Sequence, residues 1–202
     1  MHARLEQFAK RAYSSLETIQ ASYDIVRAAI QNGIPGDFVE CGVAAGANAA
    51  AMALAMIEVC DEECRFYRKV HLFDSFTGIP QAGPEDPEFL AAGHKPGLTA
   101  HSRKEVERNL TEWGFPLDLF VFHEGMFEDV LPFMMGNPPA ISVLRLDGDL
   151  YESTKVCIEH LYPLVSKGGW VIVDDWDLSG ARKAVIDHVG HGFGPIYWSK
   201  QS

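Results

Sequence analysis

Three aspartates in the second half of the chain follow apolar segments at which strands are expected to end. Asp147 follows the apolar run 141–146. Asp174 and Asp175 follow the run 170–173, and one helical pattern separates the two runs. A strand, a helix and a strand joined by short connections normally form a right-handed crossover between parallel strands, which are often neighbours. Because neighbouring strands lie about 4.8 Å apart, the three carboxylates should meet at one edge of the sheet.

Carboxylates crowded in this way repel one another unless protons or a cation compensate their charge. Oxygen ligands point to a hard ion, so we expect Mg²⁺, with Mn²⁺ or Ca²⁺ as substitutes. Asp149, two residues beyond Asp147, is the candidate general base. Its ordinary pKa of about 4 suits this role only if a metal first acidifies the bound hydroxyl. The alternative is that these aspartates cap helices or pair with Arg145, Arg182 or Lys183.

A turn with two glycines, Gly42 and Gly46, joins the first expected strand to an alanine-rich helix. Glycine lets the backbone approach a ligand closely and lets the helix pack near the strand. The spacing is GxxxG rather than the GxGxxG of dinucleotide folds, and the acidic Glu40 beside the turn suits a cationic or amine-bearing ligand better than a diphosphate. A tight connection with no ligand is the alternative.

Two further strand ends extend this candidate binding edge. Asp74 ends the second strand, where an acidic side chain commonly accepts hydrogen bonds from ribose hydroxyls, and Ser75 follows it. Gly125, Met126 and Phe127 follow the third strand, where they could supply backbone and apolar contacts to a purine. The alternatives are a capping or loop carboxylate at Asp74 and simple strand-to-helix punctuation at Gly125.

The elements that must position these residues follow from the periodicity of the apolar side chains. Residues 1–33 have the spacing of amphipathic helices, and strand and helix patterns then alternate. Strands are expected at 37–41, 69–74, 117–123, 141–146, 170–173 and 195–200, and helices at 44–60, 103–113, 127–135, 152–165 and 181–188. This alternation predicts an α/β fold in which helices cover both faces of a mainly parallel sheet.

Residues 77–102 interrupt the alternation. They contain Pro80, Pro84, Pro87 and Pro96, several glycines and little periodicity. Loops of this length in compact domains are often functional, and this one follows the second strand at the edge where ligands bind in open α/β sheets. We therefore expect an ordered loop that closes over a substrate as a lid.

The composition narrows the partners and the compartment. A chain of 202 residues predicts one domain over residues 1–202. The net charge of −11 and the scattered 17 Lys and Arg residues argue against a nucleic-acid partner. The longest apolar stretch, 49–57, is far shorter than the roughly 18 residues of a membrane span, so a cytoplasmic protein is expected. Four cysteines without a CxxC pair predict reduced thiols.

The sequence resembles the macrocin O-methyltransferase family, whose metal-dependent members methylate deoxysugar hydroxyls on macrolide and aminocoumarin antibiotics. Three stretches carry the resemblance: FDSFTGIP at 73–80, LDGDLYEST at 146–154 and VDD at 173–175. The resemblance implies a class I methyltransferase fold that uses S-adenosylmethionine and Mg²⁺ to methylate a hydroxyl of a small molecule. It also implies dimers or larger homo-oligomers, to which residues 5–30 could contribute. A nicotinamide-dependent oxidoreductase and a non-catalytic ligand-binding domain are the alternatives.

The resemblance also assigns roles to individual residues. It implies that the cofactor contacts the ends of the first three strands, at Glu40, Gly42, Gly46, Asp74, Ser75, Gly125, Met126 and Phe127. It implies that Mg²⁺ binds Asp147, Asp174 and Asp175, and that Asp149 is the general base. The chain departs from the family pattern at Ala44 and Ala45, where many relatives have a Trp-Arg pair.

Overall fold

The computed structural model describes residues 2–134 and 136–190, together with the backbone of 197–199. Six strands form one sheet in the order β3-β2-β1-β4-β5-β6. The strands are β1 (Asp37–Cys41), β2 (Val70–Asp74), β3 (Phe120–Glu124), β4 (Ile141–Leu146), β5 (Val165–Val173) and β6 (Tyr197–Ser199). The first five are parallel, and β6 runs antiparallel to β5. The predicted α/β fold with a mainly parallel sheet is confirmed.

The helices of the described residues fill the intervals between the strands. They are α1 (Ala3–Ala9), α2 (Leu16–Gln31), α3 (Ala47–Val59), α4 (Glu62–Tyr67), α5 (Pro87–Ala91), α6 (Arg103–Glu112), α7 (Phe127–Val130), α8 (Tyr151–Leu161) and α9 (Ser179–Val189). Short 3₁₀ turns occupy Leu117–Leu119, Leu131–Phe133 and Tyr162–Leu164. Several expected boundaries are therefore wrong: β3 begins at residue 120 rather than 117, α8 ends before residue 165, and β5 already begins there. The expected elements at 127–135 and 195–200 extend over residues 135, 195, 196 and 200, which lie outside the described residues.

Alternation along the strands divides the apolar side chains between two cores. Phe38 and Val39 are neighbours on β1, yet Phe38 packs with α1, α2, α3 and α6, whereas Val39 packs with α8 and α9. Successive strand residues point to opposite faces, so both faces of the sheet are covered. Residues 47–56 of α3 are all buried, which explains why this alanine-rich helix lacks a polar face.

The two N-terminal helices pack on this first core. Leu5, Phe8 and Val26 have no exposed surface, and each belongs to the cluster that includes α3. The apolar face that the periodicity revealed is therefore used within the chain. An interface between copies that involves α1 or α2 would have to use their opposite faces.

The prediction of four reduced thiols is wrong for one pair. Cys60 directly follows α3 and Cys64 lies in α4, and the turn between the helices brings their Cα atoms to 5.2 Å, where they form a disulfide. This distance lies in the range that disulfide geometry requires. Cys41 and Cys157 are free and buried, as expected for small apolar residues.

The loop 77–102 contains the short helix α5. Its two arms meet in an antiparallel bridge between Ile79 and Leu98. Within the described part of the chain, no helix is both long enough and apolar enough to cross a bilayer.

Candidate metal and cofactor site

The turn after β1 lies directly against the residue that follows β4. Gly42 has a φ of +85°, and a Cβ atom at this position would lie 1.8 Å from the carbonyl oxygen of Asp147. The Asp147 amide donates a hydrogen bond to the carbonyl of Cys41 at 2.9 Å, which holds the two strand ends together. Glycine is required at position 42 because of both this backbone contact and the left-handed conformation.

The three aspartates that were expected to meet do lie together. Asp147, Asp174 and Asp175 each offer one carboxylate oxygen, and the three oxygens lie within 4.8 Å of one another. The Asp174 amide donates to the carbonyl of Leu146 at 2.9 Å, so the ends of β4 and β5 are in register. The parallel neighbours thus produce the cluster that the strand order predicts.

A buried arginine lies beside the acidic cluster. Arg145 has no exposed surface, and its guanidinium donates to Asp147 Oδ2 at 2.7 Å and to Asp174 Oδ1 at 3.1 Å. Its Nε donates to Glu40 Oε1 at 3.4 Å. Asp147 and Asp174 therefore do pair with Arg145, as the alternative interpretation expected, and the acidic cluster forms as well. Arg145 uses one oxygen of each aspartate, so the other oxygen is available to a metal ion.

The other two cations that were considered as partners have different contacts. Arg182 donates to the carbonyl of Trp176 at 2.9 Å. Lys183 donates to Asp187 at 2.6 Å and lies 3.8 Å from Glu85. Among the described residues, neither contacts the acidic cluster, whereas Arg145 forms ion pairs with two of its aspartates.

Asp149 lies beside the cluster in a strained conformation. Its φ is 60°, which is unusual for a residue with a side chain, and its amide donates to Asp175 Oδ2 at 2.9 Å. Burial, followed by the charges of Asp147 and Asp174, raises the pKa of Asp149 to about 7. Burial, followed by the charge of Asp149, likewise raises the pKa of Asp175 to about 7. The site thus holds more carboxylates than it can ionise without a further cation.

The cluster opens into a cleft with a volume of about 260 Å³. All four aspartates line one part of it: Asp147, Asp149, Asp174 and Asp175. Six of the eight residues expected to contact the cofactor line it as well: Gly42, Asp74, Ser75, Gly125, Met126 and Phe127. One continuous cleft therefore connects the strand ends that are expected to bind the cofactor with the acidic cluster.

Glu40 and Gly46, the other two expected cofactor residues, do not line this cleft. Glu40 is 1% exposed, burial raises its pKa to about 8 despite Arg145, and its Oε2 has no hydrogen-bond partner among the described residues. Gly46 caps the start of α3 with a φ of +88°, and its missing Cβ leaves room for Val106. Gly46 therefore allows Val106 to pack closely against the start of α3. Glu40 has a buried carboxyl oxygen without a hydrogen-bond partner among the described residues.

Asp74 already has two backbone partners. Its Oδ2 accepts a hydrogen bond from the amide of Val43 at 2.6 Å, and its Oδ1 accepts one from the amide of Phe76 at 2.7 Å. The alternative of a loop carboxylate is thus observed at Asp74. Each carboxylate oxygen can accept a further bond, so these contacts orient the side chain toward the cleft without preventing a bond to a ribose hydroxyl.

The sequence profile of the macrocin-O-methyltransferase (TylF) family matches residues 14–191. The chain belongs to this family. The solved structure of the O-methyltransferase NovP superposes with a TM-score of 0.79 at 31% identity, covering 95% of this chain and 83% of that one. The class I methyltransferase fold expected from the sequence is confirmed.

Two curated relatives are each 37% identical to this chain. One is the 8-demethyl-8-(2,3-dimethoxy-alpha-L-rhamnosyl)-tetracenomycin-C 4'-O-methyltransferase of Streptomyces olivaceus, aligned over 170 residues, which are 82% of this chain and 62% of the relative. The other is the demethyldecarbamoylnovobiocin O-methyltransferase of Streptomyces niveus, aligned over 161 residues, which are 78% of this chain and 59% of the relative. The chain thus spans about three fifths of the length of these relatives.

Residues far from the family motifs also reach the cleft. Tyr13 and Ser14 line it from the linker between α1 and α2, and His101 lines it from the end of the long loop. Ser14 Oγ accepts hydrogen bonds from Asn48 at 3.1 Å and from Arg145 at 3.5 Å. The sequence gave no indication of these positions, because apolar periodicity predicts helices and strands, whereas the linker and the loop have no such periodicity.

Proposed function

We propose that the protein is an S-adenosylmethionine-dependent O-methyltransferase that uses a divalent metal ion, Mg²⁺, to methylate a hydroxyl of a small molecule. The observation that carries the proposal is the convergence of three carboxylates in a cleft whose other part is lined by Asp74 and residues 125–127. The family and the names of the relatives support methyl transfer to oxygen. They offer no support for a nicotinamide-dependent oxidoreductase.

The donor set fits a hard divalent ion. All three candidate ligands, Asp147, Asp174 and Asp175, offer oxygen, which Mg²⁺ prefers. Burial and the neighbouring carboxylates raise the pKa of Asp147 well above its usual range even though Arg145 opposes the shift, so one resident cation does not balance the cluster. A second positive charge would stabilise the ionised form of these groups.

The proposed mechanism assigns a task to each part of the cleft. Asp147, Asp174 and Asp175 would hold the ion, which supplies the Lewis acidity that lowers the pKa of an acceptor hydroxyl. Asp149 would take the hydroxyl proton. The acceptor oxygen would then bond to the methyl carbon as the bond from that carbon to sulfur breaks, which leaves S-adenosylhomocysteine. Asp74 and residues 125–127 would hold the nucleoside so that the methyl group faces the acceptor, because positioning supplies much of the rate in such transfers.

The acceptor that we propose is a sugar hydroxyl of a natural product. The first relative's name places its reaction on an alpha-L-rhamnosyl tetracenomycin. The cytoplasmic location and the homo-oligomer expected from the sequence stay predictions.

The test is a transfer assay with labelled S-adenosylmethionine, Mg²⁺ and a panel of sugars, glycosides and phenols, with and without chelator. We expect methylation that needs the metal and that is lost in Asp174→Ala. Asp177→Ala is the matched control, because Asp177 is exposed and lies in the same turn. Full metal-dependent turnover by Asp174→Ala would show that the ligand set is wrong, and no transfer by the wild type to any acceptor would favour a domain that only binds ligand.

A further inference from the structure

A carboxylate from the middle of the loop 77–102 is buried between α8 and α9, the helices that follow the two strand ends of the acidic cluster. Asp86 is only 2% exposed. Its Oδ1 accepts a hydrogen bond from the amide of Tyr151, the first residue of α8, at 2.8 Å. Its Oδ2 accepts one from the amide of Gly83 at 3.0 Å. A loop carboxylate thus accepts a hydrogen bond from the first residue of α8, the helix that begins two residues after Asp149.

The start of α9 leaves space for the same carboxylate. A Cβ atom at Gly180, the second residue of α9, would lie 2.0 Å from Asp86 Oδ1 and 3.0 Å from the carbonyl oxygen of Glu85. Glu88 binds the preceding residue, since its carboxylate accepts from the amide of Ser179 at 3.2 Å and from its hydroxyl at 2.8 Å. Negative charge at helix N-termini is favourable, so the loop is held at two helix starts.

An apolar contact reinforces this attachment. Leu150 is 3% exposed and packs with Ile79, Ala82 and Phe89 of the loop. Leu150 and Tyr151 are the two residues that follow Asp149, and the loop holds the first by packing and the second by a hydrogen bond.

The strained backbone at Asp149 needs such support. A left-handed conformation costs most residues with a side chain about 1–2 kcal/mol; aspartate tolerates it better, but the surroundings must still hold the residue in it. The Asp175 carboxylate holds the amide of Asp149 from one side. We propose that Asp86 is a positioning residue that fixes the start of α8 from the other side and thereby keeps Asp149 in place beside the acidic cluster. Only the role of Asp149 as the base rests on the proposed function, whereas the positioning of Asp149 by Asp86 does not.

A consequence concerns the loop itself. Residues 83–88 are fixed to α8 and α9, so a closing motion over the substrate would involve the two arms of the loop and not its middle. If the arm that carries Ile79 moved alone, it would break the backbone bridge that joins it to Leu98. The loop therefore lines part of the cleft and also supports the backbone that follows Asp149.

Two variants perturb the same contact from opposite sides. Asp86→Ala removes the acceptor of the Tyr151 amide, and Gly180→Ala places a methyl group only 2.0 Å from the position of Asp86 Oδ1. Asp61→Ala is the matched control, because Asp61 accepts from the amide of Cys64 at 2.8 Å at the start of α4, near the opposite end of β2. Asp86→Asn is a milder variant that keeps an oxygen for Tyr151, in case Asp86→Ala folds poorly.

The first measurement is hydrogen exchange followed by mass spectrometry on metal-free, cofactor-free protein. We expect exchange in the peptide 147–153 to rise at least about tenfold in Asp86→Ala and in Gly180→Ala, to rise less in Asp86→Asn and to stay unchanged in Asp61→Ala. Exchange that rises only within 77–102 in the folded variants, with 147–153 as in the wild type, would overturn the proposal.

The second measurement separates positioning from general loss of stability. With an acceptor found in the transfer assay, kcat should fall about 10- to 100-fold in Asp86→Ala, while the dissociation constant for S-adenosylhomocysteine stays within about threefold. Gly180→Ala added to Asp86→Ala should lower kcat less than about twofold further, because the oxygen that it displaces is already gone. Additive effects would contradict the proposal. Because the exchange experiment needs no turnover, a wild type that transfers no methyl group would refute the proposed function and leave the exchange result to decide on Asp86.

Discussion

Replacing Arg145 with Met should strongly destabilise the metal-free protein. The side chain of Arg145 is fully buried and contacts Glu40, which is 1% exposed, as well as Asp147 and Asp174, whose side chains are 21% and 20% exposed. Removing one partner of a buried ion pair typically costs about 3–5 kcal/mol, because the remaining charge loses its partner without regaining water. We expect a loss near the lower end of this range, because Arg145 is fully buried whereas the side chains of Asp147 and Asp174 keep about a fifth of their surface exposed.

A divalent ion should return part of this loss. Mg²⁺ at 100 times its dissociation constant contributes about 2.7 kcal/mol to a protein that binds it only when folded. The ion would offset the same carboxylates that the guanidinium offsets. Mn²⁺ should act in the same way, whereas a monovalent salt at equal ionic strength should not.

The assay is urea unfolding of the wild type and of Arg145→Met, with chelator and with Mg²⁺. Arg103→Met is the control, because Arg103 is 43% exposed and its bond to Glu107 is a surface pair, whose removal typically costs less than about 1 kcal/mol. If Arg145→Met loses no more stability than Arg103→Met in the presence of chelator, Arg145 is not the counter-charge of the cluster.

Three further predictions concern the same region. Gly42→Ala should lose about 1–3 kcal/mol more than Gly93→Ala in urea unfolding, because both have positive φ but only Gly42 meets the backbone of Asp147; equal losses would refute the steric argument. With chelator present, the melting temperature of the wild type should fall as the pH rises from about 5 to about 8, because Glu40 and Asp149, with pKa values of about 8 and about 7, hold their protons more tightly when folded; a rise over this window would contradict these shifts. Asp149→Asn should lower kcat by about 10²- to 10⁴-fold while Mn²⁺ binding, followed by electron paramagnetic resonance, is retained; loss of the ion would make Asp149 a ligand instead.

Some of this site follows from the chain alone, because strand ends are local features. Each of Asp74, Asp147 and Asp174 comes at the end of an apolar segment, and the crossover rule is enough to bring the last two together. Glu40 and Gly46 do not line the cleft, because proximity in the sequence to a glycine turn does not determine which residues face it. Gly42 was correctly placed beside the cleft, but its backbone contact with Asp147 could not be read from the sequence.

The sequence by itself predicts the sheet, from the periodicity of apolar residues and from turn residues. It also predicts the acidic cluster and a hard metal ion, from the aspartates at two strand ends. Each of these features depends on residues close in the chain or on a topological rule. Only the tertiary structure decided that Arg145 joins Glu40 to two of the aspartates, and that Asp86 caps a helix 65 positions further along the chain. Such partners are chosen by packing between elements distant in sequence. Local patterns carry no record of that packing, since a buried arginine and a surface arginine look the same in a sequence.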